Sequence, residues 1–424
     1  MHDVKLVREQ LDTLRAGMRR RGKLEEFAPL LDRIAELDLE RRRLIGEAEQ
    51  RKAARNTASQ EVARRRKSAE PADELIAESR VLGEAIASLE GALREVEAEL
   101  GAALLEIPNL VLDEVPEGGE DDGVILSTWG EPRRDGGLAT HWEIGERLGI
   151  LDLAGGVRVA GSGFITFRGL GARLVRALMG WCLDVHTGEH GYEEVWVPLV
   201  ANRETMTGTG QLPKFEEELY AVPRDGLFLI PTAEVPVTNL FRDEILDAAR
   251  LPLGLTAYTP CFRREAGAAG KDTRGLLRVH QFDKVELVRL CVPEQGPAEL
   301  ELLTRHAETL LERLGLAYRR KLLAAGDTGF ASARTNDLEV WAPGVEKWLE
   351  VSSCSTFTDF QARRANIRYR PESGGKPQFP FTLNGSALAF PRIIAALLET
   401  HQQNDGTVSV PEALRPYLGT DQLR

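Results

Sequence analysis

Between Arg263 and Glu286 the chain gathers side chains that could bind a nucleotide. Thr259-Pro-Cys-Phe-Arg-Arg-Glu-Ala-Gly267 reads as a strand ending on Arg263 and Arg264. Thr273-Arg-Gly-Leu-Leu-Arg278 continues as a basic loop. Val279-His-Gln-Phe-Asp-Lys-Val-Glu-Leu287 returns as a second strand that carries Phe282 and Glu286. An arginine beside an aromatic on one sheet can hold a phosphate and stack a base. Taken alone, the segment could equally be a charged hairpin without a ligand. Two further segments carry polar groups in apolar settings. Upstream lies Glu193-Glu-Val-Trp-Val-Pro198; near the C-terminus Thr382-Leu-Asn-Gly-Ser-Ala-Leu-Ala389 precedes Phe390-Pro-Arg392.

Other constellations are missing. The sequence holds no GxxxxGKS/T phosphate loop, no HExxH and no GxSxG elbow, and its seven histidines are not expected to ligate a metal. Cys182, Cys261, Cys291 and Cys354 form no CxxC pair, so no zinc is expected, and their scatter fits a reducing cytoplasm. No run of about 18 apolar residues predicts a membrane span. The start, MHDVKLVREQ, lacks a signal-peptide apolar core.

The elements that must position these residues fall into two parts. At 424 residues, with 42% hydrophobic and 28% charged, the chain supports two or three domains with real cores. In the first part, Leu30, Ile34, Leu37, Leu44 and Ala48 follow a 4-3 spacing with Arg41 filling one step. Leu75, Leu82, Ile86, Leu89, Leu93, Val96 and Leu100 do the same with Ser79. This repeat predicts a coiled coil over about 27–103. Pro71 is expected to break the first helix and Asp73 to cap the second, making an antiparallel hairpin within residues 1–110. About 40 residues per helix give an arm of roughly 60 Å that should project. Its far end is basic: Arg51, Lys52, Arg55, Arg64, Arg65, Arg66 and Lys67 have only Glu61 among them. Such a run is commonly a solvated helix face. At the tip of an arm on a protein of net charge −12 it points instead to an extended anion, most simply an RNA backbone.

Residues 111–139, rich in Gly, Pro, Asp and Glu, read as a linker. From 140 to 424 the texture is mixed. Leu170 to His186 predicts a helix with Leu174, Leu178, Trp181 and Val185 on one face. Strands are expected at 194–198, 227–230, 282–290, 339–341 and 348–351, and a last helix from about Ser386 to Thr400. Strands outnumber crossover helices, so the fold class is α+β with an antiparallel sheet.

The three polar segments resemble, in order, the signature motifs of class II aminoacyl-tRNA synthetases. Gly208-Thr-Gly-Gln-Leu-Pro-Lys-Phe215, Pro231-Thr-Ala-Glu234, Phe262–Gly267, Arg278–Glu286, Glu350-Val-Ser-Ser353 and Phe360–Arg370 narrow the resemblance to seryl-tRNA synthetases of bacterial type. It covers essentially the whole chain.

The resemblance implies ATP-dependent activation of L-serine to seryl-adenylate and its transfer to the 3′ end of tRNA(Ser), and to tRNA(Sec) where present. It implies a serine site of Thr232, Ala233, Glu234, Arg263, Glu286, Asn384 and Ser386. Glu234 and Thr232 would take the ammonium, Arg263 the carboxylate, and Glu286 with Ser386 the hydroxyl. The ATP site would comprise Arg263, Arg264, Glu265, Val279, Phe282, Glu350, Val351, Ser352, Ser353 and Arg392, with adenine between Phe282 and Arg392. Glu350 and Ser353 would hold Mg²⁺. The loop Ala266–Arg278 would approach the tRNA acceptor end, and the basic arm tip its long variable arm. A cytoplasmic homodimer is implied, with Leu170–Pro198 at its interface. Four positions depart from the usual pattern: Arg264 where Ser is frequent, Arg334 for Lys, Phe381 for His and Ala387 for Gly. None removes a catalytic group. A relative that loads a carrier protein would have a reduced arm, and a catalytically dead paralogue would lack the Glu and Arg set; here the arm is full length and the Glu and Arg residues are all in place.

Overall fold

The computed structural model describes residues 1–266, 274–371 and 374–424. They form two compact units, residues 1–19 with 23–108, and residues 20–22 with 109–424.

The first unit is built on α1 (Leu24–Lys67) and α2 (Asp73–Glu106). Arg33–Glu99, Arg41–Glu97 and Lys52–Glu90 pair across them, in the opposite sequence order that an antiparallel hairpin requires. Leu31, Ile34, Leu37, Leu44 and Ala48 are buried along α1, and Ile86 and Leu100 along α2. The expected helix pair is present, with Leu30 half-buried and its neighbour Leu31 buried. The helix α1 also buries a charge that an apolar repeat does not reveal, against Arg8 of the N-terminal helix Val4–Glu9. Asp38 is buried and accepts from Arg8 at 2.8 and 3.0 Å, with Arg42 at 3.1 Å. These guanidiniums, Arg8 first, hold its carboxyl below the usual range. The bend differs from expectation. α1 ends at Lys67, four residues before Pro71, and Ala72 precedes α2 without a side-chain cap. Asp73 lies inside the first turn, where it favours the positive helix end.

The second unit is organised by an eight-stranded sheet. In chain order the strands are β1 (Val124–Trp129), β2 (Glu193–Glu194), β3 (Leu253–Phe262), β4 (Gln281–Cys291), β5 (Tyr318–Leu322), β6 (Arg334–Ala342), β7 (Lys347–Thr356) and β8 (Phe381–Ala389). Their order across the sheet is β1-β5-β6-β7-β8-β4-β3-β2. Every pairing is antiparallel except β2 with β3. Two expectations are corrected. The stretch expected as linker contributes the edge strand β1. The last helix starts at Phe390, not Ser386, because Ser386 belongs to β8 and pairs with Glu286. Residues 227–229 also lie outside the main sheet, pairing with 200–202 and 221–222.

Three helices cover one face of the sheet: α3 (Leu170–Gly188), α4 (Gly296–Arg313) and α5 (Phe390–His401). Leu174, Leu178, Trp181 and Val185 of α3 are all buried in the core, as their spacing predicts. Alternation along the strands divides the two faces. Val285 and Leu287 of β4 enter the helix-covered core, while Phe282, Lys284 and Glu286 turn to the opposite face. On β8, Ala387 belongs to that core, and a Cβ on Gly385 would stand 2.3 Å from Leu303 of α4. Asn384 and Ser386 therefore face the other way.

Candidate active site

The sheet's second face carries a cavity of about 530 Å³. Its walls are the strand face just described, the β3–β4 connection, and the start of α5. Thr232, Glu234, Arg263, Glu265, Val279, Phe282, Glu286, Glu350, Val351, Ser352, Ser353, Asn384, Ser386 and Arg392 all line it. Residues as far apart in sequence as Thr232 and Arg392 are thereby brought to one space by the strand order. Two of the expected residues stand apart. Ala233 is fully buried in an apolar cluster with Val237, Leu255 and Val288, so it forms the floor behind its neighbours. Arg264 donates to the carbonyl of Glu217 at 3.0 Å, and its backbone N–H to that of Glu218, which ties it to the adjoining loop. Residues 267–273 of the expected acceptor-end loop lie outside the described residues.

One end of the cavity is suited to a small zwitterion. The Ser386 hydroxyl donates to Glu286 at 3.5 Å. Ser352 donates to the Ser386 carbonyl at 2.6 Å and holds the strands in register there. Glu234 is buried, and loss of solvation, reinforced by the nearby Glu286, pushes its carboxyl up to about 7. Gln361, Lys284 and Arg263 oppose that rise. Lys284 is a site residue that the sequence reading passed over. Its ammonium donates to the Thr232 hydroxyl at 2.8 Å and pairs with Glu286. Its signal was available: 282, 284 and 286 alternate onto one strand face.

The other end suits a nucleotide. The Arg263 guanidinium lies 5.1 Å from the centre of the Phe282 ring. The Arg263 carbonyl accepts from His280 Nδ1 at 3.0 Å, which ties the end of β3 to the start of β4. Glu265 Oε2 accepts from Arg278 at 2.5 Å. Arg392 donates to the carbonyls of Leu277 at 3.1 Å and Glu350 at 2.7 Å. The wall Leu276–Val279 is braced from behind by a fully buried His141–Glu399 pair at 2.7 Å. The Leu276 N–H donates to His141 Nε2 at 3.0 Å, so Nδ1 carries the proton toward Glu399. Glu399 also accepts from the N–H groups of Gly344 and Val345. Gly275 sits at φ +69, and a Cβ there would meet His141 at 2.3 Å.

The donors at Glu350 and Ser353 are hard oxygens, which fits a magnesium ion. A further oxygen lies close by. Asp337 on β6 pairs in register with Ser353, and its buried Oδ1 has no hydrogen-bond partner. Burial, with Glu350 adding to it, holds the Asp337 carboxyl well above the usual range.

Comparison with known proteins decides the lineage. Residues 1–111 match the seryl-tRNA synthetase N-terminal domain, and residues 216–401 match the tRNA synthetase class II core domain (G, H, P, S and T). A serine–tRNA ligase of Gemmatimonas aurantiaca is 64% identical over 420 residues, covering 99% of each chain. The chain belongs to the seryl-tRNA synthetase family. The crystal structure of seryl-tRNA synthetase from Pyrococcus horikoshii complexed with ATP superposes with a TM-score of 0.94 at 37% identity, covering 100% of this chain and 99% of that one. The cytoplasmic serine–tRNA ligase of Naegleria fowleri in complex with AMP gives 0.89 at 30% identity, with the same coverage. Membership in this family accounts for both the helical arm and the antiparallel sheet. No helix among the described residues is long and apolar enough to cross a membrane.

Of the arm residues expected to meet RNA, Arg64, Arg65, Arg66 and Lys67 lie in the last turn of α1 at the hairpin bend, and Arg51, Lys52 and Arg55 lie farther back along that helix. Arg51, Lys52, Arg64, Arg66 and Lys67 are exposed, and Arg55 and Arg65 half-buried. Part of their charge is already met. Arg64 and Arg65 both pair with Glu61, and Lys52 with Glu90 of α2, an acid that a reading of the basic run alone omits.

Proposed function

We propose that the chain activates L-serine with ATP and transfers it to the 3′ end of tRNA(Ser). The observation that carries this is the convergence of Glu234, Glu286 and Ser386 with Arg263 and Phe282 on one cavity. Serine's ammonium meets Glu234 and Thr232, its carboxylate meets Arg263, and its hydroxyl meets Glu286 and Ser386. Adenine stacks on Phe282, with Arg392 toward its other side. The substrate carboxylate, already ionised, attacks the α-phosphorus; an O–P bond forms and the bond to pyrophosphate breaks. Arg263 stabilises charge on the α-phosphate. The ribose hydroxyl of the tRNA then attacks the seryl carbonyl and AMP leaves. No general base is required in the first step. Holding two reactants in place can supply about 7–11 kcal/mol of the barrier. Glu350 and Ser353 would hold Mg²⁺, which when bound neutralises phosphate charge.

Selection for serine follows from the same groups. Alanine leaves Glu286 and Ser386 without the hydroxyl they are built to pair, a strong form of rejection. Threonine must be refused for lack of room. The exposed basic residues of the arm bend favour the backbone of an elongated tRNA arm, in tRNA(Ser) and, where the organism makes it, tRNA(Sec). A homodimer is supported by Trp196 and Val159, which are 84% and 85% exposed on the segments flanking α3. A cytoplasmic setting is consistent with four buried, unbridged cysteines.

The test is serine-dependent ATP–pyrophosphate exchange, with alanine, threonine and glycine as comparators, followed by charging of tRNA(Ser). Exchange with serine alone is expected. No exchange with any amino acid overturns the reading.

A further inference from the structure

The proposed ammonium acceptor, Glu234, is held by a chain of buried neutral groups that runs back to the strand carrying the hydroxyl site. Gln361, on the short helix Phe360–Arg364, is 1% exposed. Its Nε2 donates to Glu234 Oε1 at 2.6 Å and to the Thr209 carbonyl at 3.2 Å. A carbonyl can only accept, so the amide orientation is settled by Thr209. Gln361 Oε1 in turn accepts from the Thr382 hydroxyl at 2.7 Å. Thr382 is also 1% exposed and lies on β8, two residues before Asn384 and four before Ser386.

We infer that Gln361 is a positioning residue for serine activation: it aims the Glu234 carboxylate and favours its ionised form, while Thr382 locks Gln361 in place. This rests on the reading that Glu234 receives the substrate ammonium. The choice of an amide follows from charge. The groups facing Glu234 are Glu286 and Lys284 from β4, Arg263 from the end of β3, and Gln361. An isolated buried carboxylate beside Glu286 would take up a proton. A cation in place of Gln361 would prevent that, but it would also repel the incoming ammonium and compete for the same oxygens. A neutral donor stabilises the anion and leaves its charge for the substrate. The link to Thr382 also couples the two ends of serine, since one strand fixes both the amide and Ser386.

The experiment compares Gln361→Met, Thr382→Val and Glu234→Gln with the parent protein in serine-dependent pyrophosphate exchange from pH 6 to 8. ATP affinity is measured on each by calorimetry. Gln361→Met keeps the volume and removes the donor. Its serine KM is expected to rise about 10- to 100-fold, the range for a hydrogen bond to a charged group. Its kcat is expected to change less than about threefold, with ATP affinity intact. The pH at which serine KM improves should also move upward. Thr382→Val should act in the same direction by about 3- to 10-fold, and it decides the matter if Gln361→Met does not fold. An unchanged serine KM and pH midpoint in the folded variant, while Glu234→Gln raises serine KM, overturns the role of Gln361 and leaves the serine site standing. An equal loss of ATP affinity overturns it as well, because it marks general damage. A serine KM unmoved by Glu234→Gln removes the ammonium assignment itself.

Discussion

Serine binding should strengthen as pH rises through neutrality, because Glu234 must be ionised to meet the ammonium. Its carboxyl titrates at about 7 in the free site, raised from 4.5 by burial first and by Glu286 second. A rise of that size corresponds to about 3 kcal/mol against the charged form. With a midpoint of about 7, the ionised fraction is about 0.1 at pH 6 and about 0.9 at pH 8, so serine KM should fall about tenfold between them. The stability effect has the opposite sense. Between pH 4.5 and 7 the folded state keeps a proton that the unfolded chain has released, so this group makes folding less favourable as pH rises through that window. Serine offsets the cost by supplying a cation, and should therefore expel about 0.9 proton at pH 6. The assay is serine KM by pyrophosphate exchange at saturating ATP, with proton release from calorimetry in two buffers of different ionisation enthalpy. Glu234→Gln should bind serine weakly and without this pH dependence. A flat KM over pH 6–8, or a dependence that persists in Glu234→Gln, would refute the assignment.

Three further outcomes follow from the packing. His141→Ala removes one partner of a fully buried, hydrogen-bonded pair and should cost about 3–5 kcal/mol, lowering the thermal midpoint. ATP KM should rise more than serine KM, because the wall at Leu276–Val279 loses its brace. Gly385→Ala places a methyl 2.3 Å from Leu303 and 2.9 Å from Cys354 Sγ, so β8 or these buried side chains must shift. A loss of about 1–3 kcal/mol in urea unfolding and a raised serine KM are expected. Replacing Arg64, Arg65, Arg66 and Lys67 together by Ala should raise the KM for tRNA(Ser) at least tenfold and flatten its salt dependence. Pyrophosphate exchange without tRNA should be untouched.

Long-range regularity is what made the fold readable. The 3.5-residue repeat of the arm and the apolar stripe of α3 each use one face of a helix, and each side chain reports its own environment. β8 defeated that logic. Buried on both faces, it ends from Ala387 to Phe390 in an apolar run that also suits a helix, and only the pairing of Ser386 with Glu286 separates the two. β1 is an exposed edge set among Gly, Pro and acidic residues, so its composition looks like a linker. Most of the cavity lining was visible through motifs. What the motifs left silent were the partners supplied by other elements: Lys284 through Thr232, Gln361 through Glu234, and Asp38 through Arg8. A polar residue in a buried position acquires meaning from its partner, and the partner lies far away in the chain.

The placement of Phe282, Lys284 and Glu286 at alternate positions of β4 turns that strand into a ruler. Successive marks lie about 7 Å apart, so the proposed adenine and serine-hydroxyl sites would be gauged along one rigid edge some 13 Å long. Slipping it by a single residue would swing all three marks to the helix-covered side together. Under the proposed assignment, nucleotide and amino acid recognition would not drift apart by small insertions in this strand; length changes would fall in the connections at its ends, and pleat geometry would keep the spacing between the two substrates.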